Sequence, residues 1–140
     1  MILLDTNVIS ALMRPTIDAP VSAWLTAQPP QTLHIASICE AEIRYGIARL
    51  PPGQRREYLV VAFATFLAQG FAGRILVFDS ACAAASATIR AQREQEGRPI
   101  ALADAMIAGT AAAHGAEVAT RNVNDFAGCG IVVTNPWTAA

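Results

Sequence analysis

The chain has 140 residues, a formal net charge of −1, 54% apolar residues and 15% charged residues. This length predicts one domain with a buried core, and the charge gives no strongly basic surface of the kind that marks many nucleic-acid-binding proteins. Every basic residue is arginine, which excludes lysine chemistry such as a Schiff base or a Walker A phosphate loop. The apolar fraction is typical of a sheet buried on both faces, or of a domain that buries a further face against a partner.

The three cysteines, Cys39, Cys82 and Cys129, show no paired spacing. We expect buried thiols in a reducing compartment rather than disulfides or zinc ligands. No basic segment followed by an apolar core indicates a signal peptide. The uncharged stretch over residues 58–73 is interrupted by Gln69 and Gly70, and it is too short to span a membrane. These features predict a soluble cytoplasmic protein.

The first predicted strand, residues 2–4, is followed at once by Asp5, Thr6 and Asn7. A short apolar run ended by a turn is typical of a buried parallel strand, and Thr and Asn are good residues to begin a helix. Ligands of open α/β sheets bind at the carboxyl ends of the strands, so Asp5 lies where a functional residue is expected. The alternative, that Asp5 only caps the next helix, stays open.

A short helix is predicted over residues 21–28 and a second strand over residues 33–36, in which His34 is expected to be structural. Ser37 is then expected to cap a helix over residues 38–50.

That helix carries two acids in different settings. Glu40 and Arg44 are spaced for a solvent-exposed ion pair. Glu42 lies about half a turn from Glu40 and borders an apolar stripe made of Ile38, Ala41 and Tyr45. Gly46, one turn further on, leaves space for a ligand to approach Glu42.

The next predicted elements are a helix over residues 54–68, a strand over residues 74–78 and a helix over residues 81–95. The packed face of the first is expected to contain Tyr58, Val61, Ala62, Thr65 and Phe66. Asp79 repeats the context of Asp5, but the Ser80 that follows favours a simple helix N-cap.

A helix over residues 101–114 consists almost wholly of small and apolar residues and ends at Gly115, a typical C-cap. A helix that is apolar on nearly all sides is expected to be central and buried. Its one charge, Asp104, lies in the first turn, where the helix dipole favours an anion. A lone buried carboxylate is costly unless it is paired or binds a cation, so Asp104 is the strongest local indication of function.

A fourth strand over residues 117–120 leads to a polar loop over residues 121–126, and a fifth is predicted over residues 131–133. The alternation of strands and helices predicts a parallel sheet, in which Asp5 and this loop share one rim. Three or four acids would converge there without lysine or a well-placed histidine. Such a set is a poor acid–base pair but suits Mg²⁺, which takes one or two carboxylates and completes its shell with water and substrate phosphate.

Four segments in this order make the chain resemble a PIN-domain nuclease and, more narrowly, a VapC-type toxin of a type II toxin–antitoxin module. They are residues 2–7, 41–46, 103–108 and 120–126. Residues 71–76 and the ending Asn-Pro-Trp at 135–137 are similar to the FitB branch. The resemblance implies a three-layer α/β/α fold with a five-stranded parallel sheet, as a single PIN domain over residues 1–140.

The resemblance also implies a Mg²⁺-dependent endoribonuclease that could use Mn²⁺. Carried over by motif, Asp5 and Asp104 would be metal ligands, and Glu42 would complete the acidic set by ligation or by orienting water. Thr6 and Asn7 would support Asp5.

The fourth acid departs from the family pattern, because Asn122 stands where close relatives carry Asp, and Asp125 follows three residues later. The resemblance leaves either residue to take this catalytic position. Arg14 and Arg121 flank the expected site loops and are candidates to bind RNA.

The implied partner is a cognate VapB- or FitA-like antitoxin that fills an apolar groove, covers the acids and alone contacts operator DNA, with the toxin as a homodimer. Two alternatives stay open. Asn122 is the one feature that favours a catalytically inactive PIN-like partner in a DNA-bound regulatory complex, and the intact Asp5, Glu42 and Asp104 set argues against it. A metal-dependent phosphatase on another α/β fold is disfavoured, because Asn7 stands where such enzymes carry a second Asp.

Overall fold

Five short parallel strands form one sheet at the centre of the chain, and the computed structural model describes residues 1–139. The strands are β1 (Ile2–Leu4), β2 (Leu33–Ala36), β3 (Ile75–Leu76), β4 (Glu117–Ala119) and β5 (Val133–Thr134). Their order across the sheet is β3-β2-β1-β4-β5, and every pairing is parallel. The predicted five-stranded parallel sheet is therefore confirmed.

Helices cover this sheet in a three-layer α/β/α arrangement. Over residues 1–139 they are α1 (Thr6–Leu12), α2 (Ala19–Thr26), α3 (Ser37–Ala48), α4 (Gln54–Gly70), α5 (Ser80–Gln95) and α6 (Leu102–His114). Short 3-10 turns cover Pro30–Thr32 and Val123–Phe126. The consecutive residues Leu3 and Leu4 point to opposite faces of the sheet and are both buried, so both faces of β1 are covered. None of these helices is long and apolar enough to cross a membrane.

Several local predictions are confirmed. Glu40 and Arg44 form an ion pair of 2.8 Å on the surface of α3. Asp79 caps α5, because its Oδ1 accepts a hydrogen bond from the Cys82 N–H at 3.0 Å. Gly115 ends α6 in the left-handed conformation, and the three cysteines are buried and unbridged. The predicted central position of α6 also holds, since the residues of its middle are buried.

The apolar stripe of Ile38, Ala41 and Tyr45 is not the buried face of α3. The side chains it buries are Cys39, Ile43 and Ile47, whereas Tyr45 is 67% exposed. Ser37 is the first residue of the helix rather than its cap, and its Oγ accepts a hydrogen bond from the Phe78 N–H. Both stripes have helical spacing, so periodicity alone could not decide which one faces the sheet.

The face predicted for α4 is right only in part, since Phe66 packs against the core but Thr65 is exposed. Phe63 and Leu67 are buried, while Tyr58 is 69% exposed and Val61 is also exposed. Element ends differ by a few residues from the predictions. For example, α2 begins at Ala19 because Pro20 is well tolerated in a first turn, and β3 is limited to two residues.

Candidate active site at the carboxyl ends of the strands

Asp5 lies at the carboxyl end of β1, where it is 6% exposed. Its Oδ1 accepts the Thr6 N–H at 2.8 Å and so caps α1. Its Oδ2 accepts hydrogen bonds from the Thr120 hydroxyl at 2.7 Å and from the Asn7 amide at 3.2 Å. The expected capping role therefore uses one oxygen, and the second oxygen belongs to a network between two strands. Burial raises the pKa of Asp5, and the Thr120 hydroxyl opposes this shift.

Thr120 is a site residue that the sequence analysis missed. It is fully buried at the end of β4, and besides donating to Asp5, its Oγ1 accepts the Asn122 N–H at 3.0 Å and the Asn7 amide at 3.3 Å. Asn7 Oδ1 in turn accepts the Arg121 N–H at 3.1 Å. These bonds join β1 to the loop after β4. The sequence feature that could have indicated Thr120 is a polar residue directly after an apolar strand.

Glu42 projects from α3 beside the start of α1. Its Oε1 accepts a hydrogen bond from the Thr6 hydroxyl at 2.8 Å, which places it at the same rim as Asp5. The space expected at Gly46 is present, since a side chain there would meet no atom within 4 Å. A groove of about 600 Å³ runs along this side, and its lining includes Glu42, Gly46 and Arg14.

Asp104 lies in the first turn of α6 and has a pKa raised to about 6. Burial is the largest cause, followed by repulsion from Asp5, Asp125 and Glu42, whereas Arg93 lowers it. Three of the acids predicted to converge therefore act together on the fourth. Among residues 1–139, however, no three carboxylate, imidazole or thiol groups are close enough to hold one ion together. The acids form an open cluster rather than a closed cage of direct ligands.

The two candidates for the fourth position behave differently. The Asn122 and Asp125 residues are both exposed and belong to the turn after β4. The charge of Asp125 raises the pKa values of both Asp5 and Asp104, so this carboxylate acts on the cluster. Asn122 connects to the cluster through its backbone N–H to Thr120.

Cys39 also lies beside the cluster, and burial raises its pKa to about 12. A thiol with such a pKa carries almost no thiolate at neutral pH, which excludes Cys39 as a nucleophile.

The two arginines predicted to bind RNA are both exposed. Arg14 lines the groove. The Arg121 guanidinium lies 4.8 Å from the centre of the Trp137 ring, and Trp137 is held by a hydrogen bond from its Nε1 to Asp18 at 3.0 Å.

A third arginine, Arg93, is buried. Sequence reasoning missed it because an arginine on a helix is usually solvated.

Comparison with known proteins places the chain in a family. Residues 2–127 match the model of the PIN domain. The chain is 41% identical to VapC ribonuclease Y4jK of Sinorhizobium fredii over 100% of both chains, and 42% identical to Toxin FitB of Neisseria gonorrhoeae over 98% of this chain and 99% of that protein. A solved structure of FitAB bound to an IR36 DNA fragment superposes with a TM-score of 0.92 at 41% identity, covering 100% of this chain and 98% of the other. The chain therefore belongs to the PIN domain family and, within it, to the VapC-type proteins.

Proposed function

We propose that this protein is a metal-dependent endoribonuclease toxin that hydrolyses RNA phosphodiester bonds and is neutralised by a cognate antitoxin. The observation that carries the proposal is the set of acids at one rim of the sheet, where Asp5, Asp125 and Glu42 together raise the pKa of Asp104. Such a cluster is unstable without a cation. Similarity to a VapC ribonuclease and to the FitB toxin over the whole chain supports the same activity.

The chemistry of the donor set fits Mg²⁺, with Mn²⁺ as an alternative. The available groups are hard carboxylate oxygens, and Mg²⁺ commonly takes only one or two of them together with water. Asp5 and Asp104 would hold the ion, and Glu42 would complete the set directly or by orienting water. When bound, the ion supplies an activated water and neutralises negative charge on the phosphodiester.

The protein's own residues prepare this site before substrate arrives. Thr120 and Asn7 donate to the same oxygen of Asp5, which fixes the orientation of the carboxylate. The Thr6 hydroxyl does the same for Glu42. Side chains held in this way lose little freedom when they act, which is how positioning lowers a barrier.

Substrate binding would use Arg14, which lines the groove together with Glu42, and Arg121, whose backbone N–H donates to Asn7 beside Asp5. Stacking on Trp137 keeps the Arg121 guanidinium in one plane, and its edge N–H groups suit phosphate oxygens. Contacts of this kind weaken as salt rises.

An antitoxin of the VapB or FitA type would occupy the groove beside Glu42. The groove is mainly apolar, with Met13, Ile47 and Leu59 in its lining, and Tyr58 and Val61 lie exposed on α4. Exposed apolar surface of this extent suits a protein partner. In this proposal the toxin is a cytoplasmic homodimer, and operator DNA is bound only through the antitoxin.

The test compares wild type with Asp104→Ala at matched protein levels, first for growth arrest on induction and then for cleavage of total RNA with Mg²⁺ or with EDTA. We expect arrest and metal-dependent cleavage from wild type and neither from Asp104→Ala. Asp79→Ser, which keeps a good helix cap at a residue outside the acidic set, is the matched control and should arrest growth. A folded, antitoxin-free wild type that leaves RNA intact would favour the inactive regulatory partner instead.

A further inference from the structure

Arg93 is a buried arginine, 5% exposed, near the end of α5. Its Nε donates to the Arg98 carbonyl at 2.7 Å. Its Nη1 donates to the Asp125 carbonyl at 3.0 Å and to the Ala127 carbonyl at 2.9 Å. The same nitrogen lies 3.6 Å from the Cys129 sulfur. A single side chain thus reaches three backbone carbonyls from two separate segments.

Both segments lead to the acidic cluster. Arg98 belongs to the connection between α5 and α6, and Asp104 lies in the first turn of α6. Asp125 and Ala127 belong to the loop after β4, whose own N–H groups are used inside the loop, as in the bond from the Ala127 N–H to the Asn124 carbonyl at 3.3 Å. Arg93 therefore connects the segment that carries Asp104 with the loop that carries Asp125.

Stability alone does not explain a charge at this position. Burying a guanidinium is costly without a carboxylate in direct contact. The charge of Arg93 lowers the pKa of Asp104, but the ion pairs in contact over residues 1–139 are Arg44–Glu40 and Arg90–Glu94, both on the surface. An apolar side chain would avoid that cost. It could not, however, donate in fixed directions to carbonyls of two segments, which the planar guanidinium does.

We propose that Arg93 is a positioning residue that holds the α5–α6 connection against the loop after β4 and so sets the separation of Asp104 and Asp125. It acts through these two segments and does not contact RNA. The inference rests on the proposed nuclease activity for its kinetic consequence, whereas its structural consequence can be measured without that activity.

The first experiment compares Arg93→Met, Arg93→Lys and the control Arg90→Met. Arg90 lies on the same helix but is exposed. We expect Arg93→Met to lower kcat for RNA cleavage by about 100-fold with little change in KM, since a displacement of about 1 Å has effects of that size. Arg93→Lys keeps the buried charge but cannot reproduce the fork of donors, so it should fold and still lose at least about tenfold. Arg90→Met should match wild type.

A double-mutant cycle with Asp125→Asn tests whether Arg93 affects kcat through the loop that carries Asp125. If Arg93 acts by placing the Asp125 loop, its replacement should lower kcat much less in the Asp125→Asn background than in wild type. Equal losses in both backgrounds would overturn the proposal, as would full activity of Arg93→Lys and Arg93→Met.

Amide hydrogen exchange provides a readout that needs no activity. In Arg93→Met and Arg93→Lys the amides of Asp125 and Ala127 should exchange at least about tenfold faster than in wild type, while amides of the sheet keep their protection. Unchanged exchange in this loop would overturn the proposal. Faster loop exchange in a protein whose wild type cleaves no RNA would instead retain the structural link and reject the proposed nuclease function.

Discussion

Two glycines within helices lie in opposite surroundings. Gly109 of α6 faces α5 so closely that a methyl group there would overlap the Ser86 hydroxyl and lie 2.7 Å from the Ser86 backbone nitrogen. Gly46 of α3 faces open space, with no atom within 4 Å of such a methyl group. The first glycine allows two helices to touch, and the second leaves a groove unfilled.

The two glycines mark two halves of the molecule that have different roles. The closely packed α5–α6 half carries Asp104 and, through Arg93, supports the Asp125 loop. The open α3–α4 half carries Glu42 and the groove, with apolar side chains left exposed. The acids therefore lie between a half that fixes their positions and a half with room for a substrate or a partner.

The largest loss of stability is expected from adding a side chain at Gly109, where α6 touches α5. Gly109→Val should lower the free energy of unfolding by about 3 kcal/mol, because the backbone of Ser86 must move. Urea denaturation measures this loss. Ser86→Ala is the control: it removes a hydroxyl that is buried without a hydrogen-bond partner over residues 1–139, so it should be close to neutral. It should not rescue Gly109→Val, since the Ser86 backbone remains, and a rescue would contradict this packing.

The next largest loss of stability is expected from Thr120→Val. It keeps the shape of the side chain but removes the hydroxyl shared by Asp5, Asn7 and Asn122, leaving buried groups unpaired, and we expect a loss of about 2 kcal/mol. RNA cleavage should fall as well. Thr110→Val is a matched control, because Thr110 is equally buried but its hydroxyl donates within its own helix, to the Met106 carbonyl. Equal effects of the two changes would mean that the network at Thr120 has no special role.

The comparison also shows what sequence patterns could predict. Asp5 and Asp104 were identified because each is a charged residue next to a strongly apolar segment, and this contrast can be seen in the sequence itself. The parallel sheet was predicted because short apolar runs alternate along the chain with segments of helical periodicity. Thr120 and Arg93 were missed because their importance depends on partners far along the chain, such as Asp5 at a separation of 115 residues. The face of α4 was predicted only in part because this half leaves apolar residues exposed, so hydrophobicity alone does not indicate which side of a helix is buried.

Asp104 should make the metal-free protein more stable at mildly acidic pH. Its pKa rises from 3.8 to about 6 on folding, so the folded state takes up a proton before the unfolded state does as pH falls. Stability should therefore increase from pH 7.5 to pH 5, by about 1 kcal/mol after allowance for solvent screening.

Thermal unfolding in EDTA at several pH values checks this expectation. Asp104→Asn should be more stable than wild type at pH 7.5 and should lose this part of the pH dependence. Asp79→Asn should keep it, because the pKa of that exposed cap is lowered rather than raised. A pH dependence left unchanged by Asp104→Asn would assign it to other groups.

The smallest effect on stability is expected in the open half. Gly46→Leu adds a side chain where nothing stands within 4 Å and improves helix propensity, so the free energy of unfolding should rise by less than about 1 kcal/mol. The same side chain would narrow the groove beside Glu42 and Arg14. We therefore expect antitoxin binding to fall at least tenfold by titration calorimetry, roughly 1.4 kcal/mol or more, with Gly46→Ala close to wild type. Antitoxin affinity unchanged by Gly46→Leu would show that the partner binds elsewhere, and the open half would then serve the substrate alone.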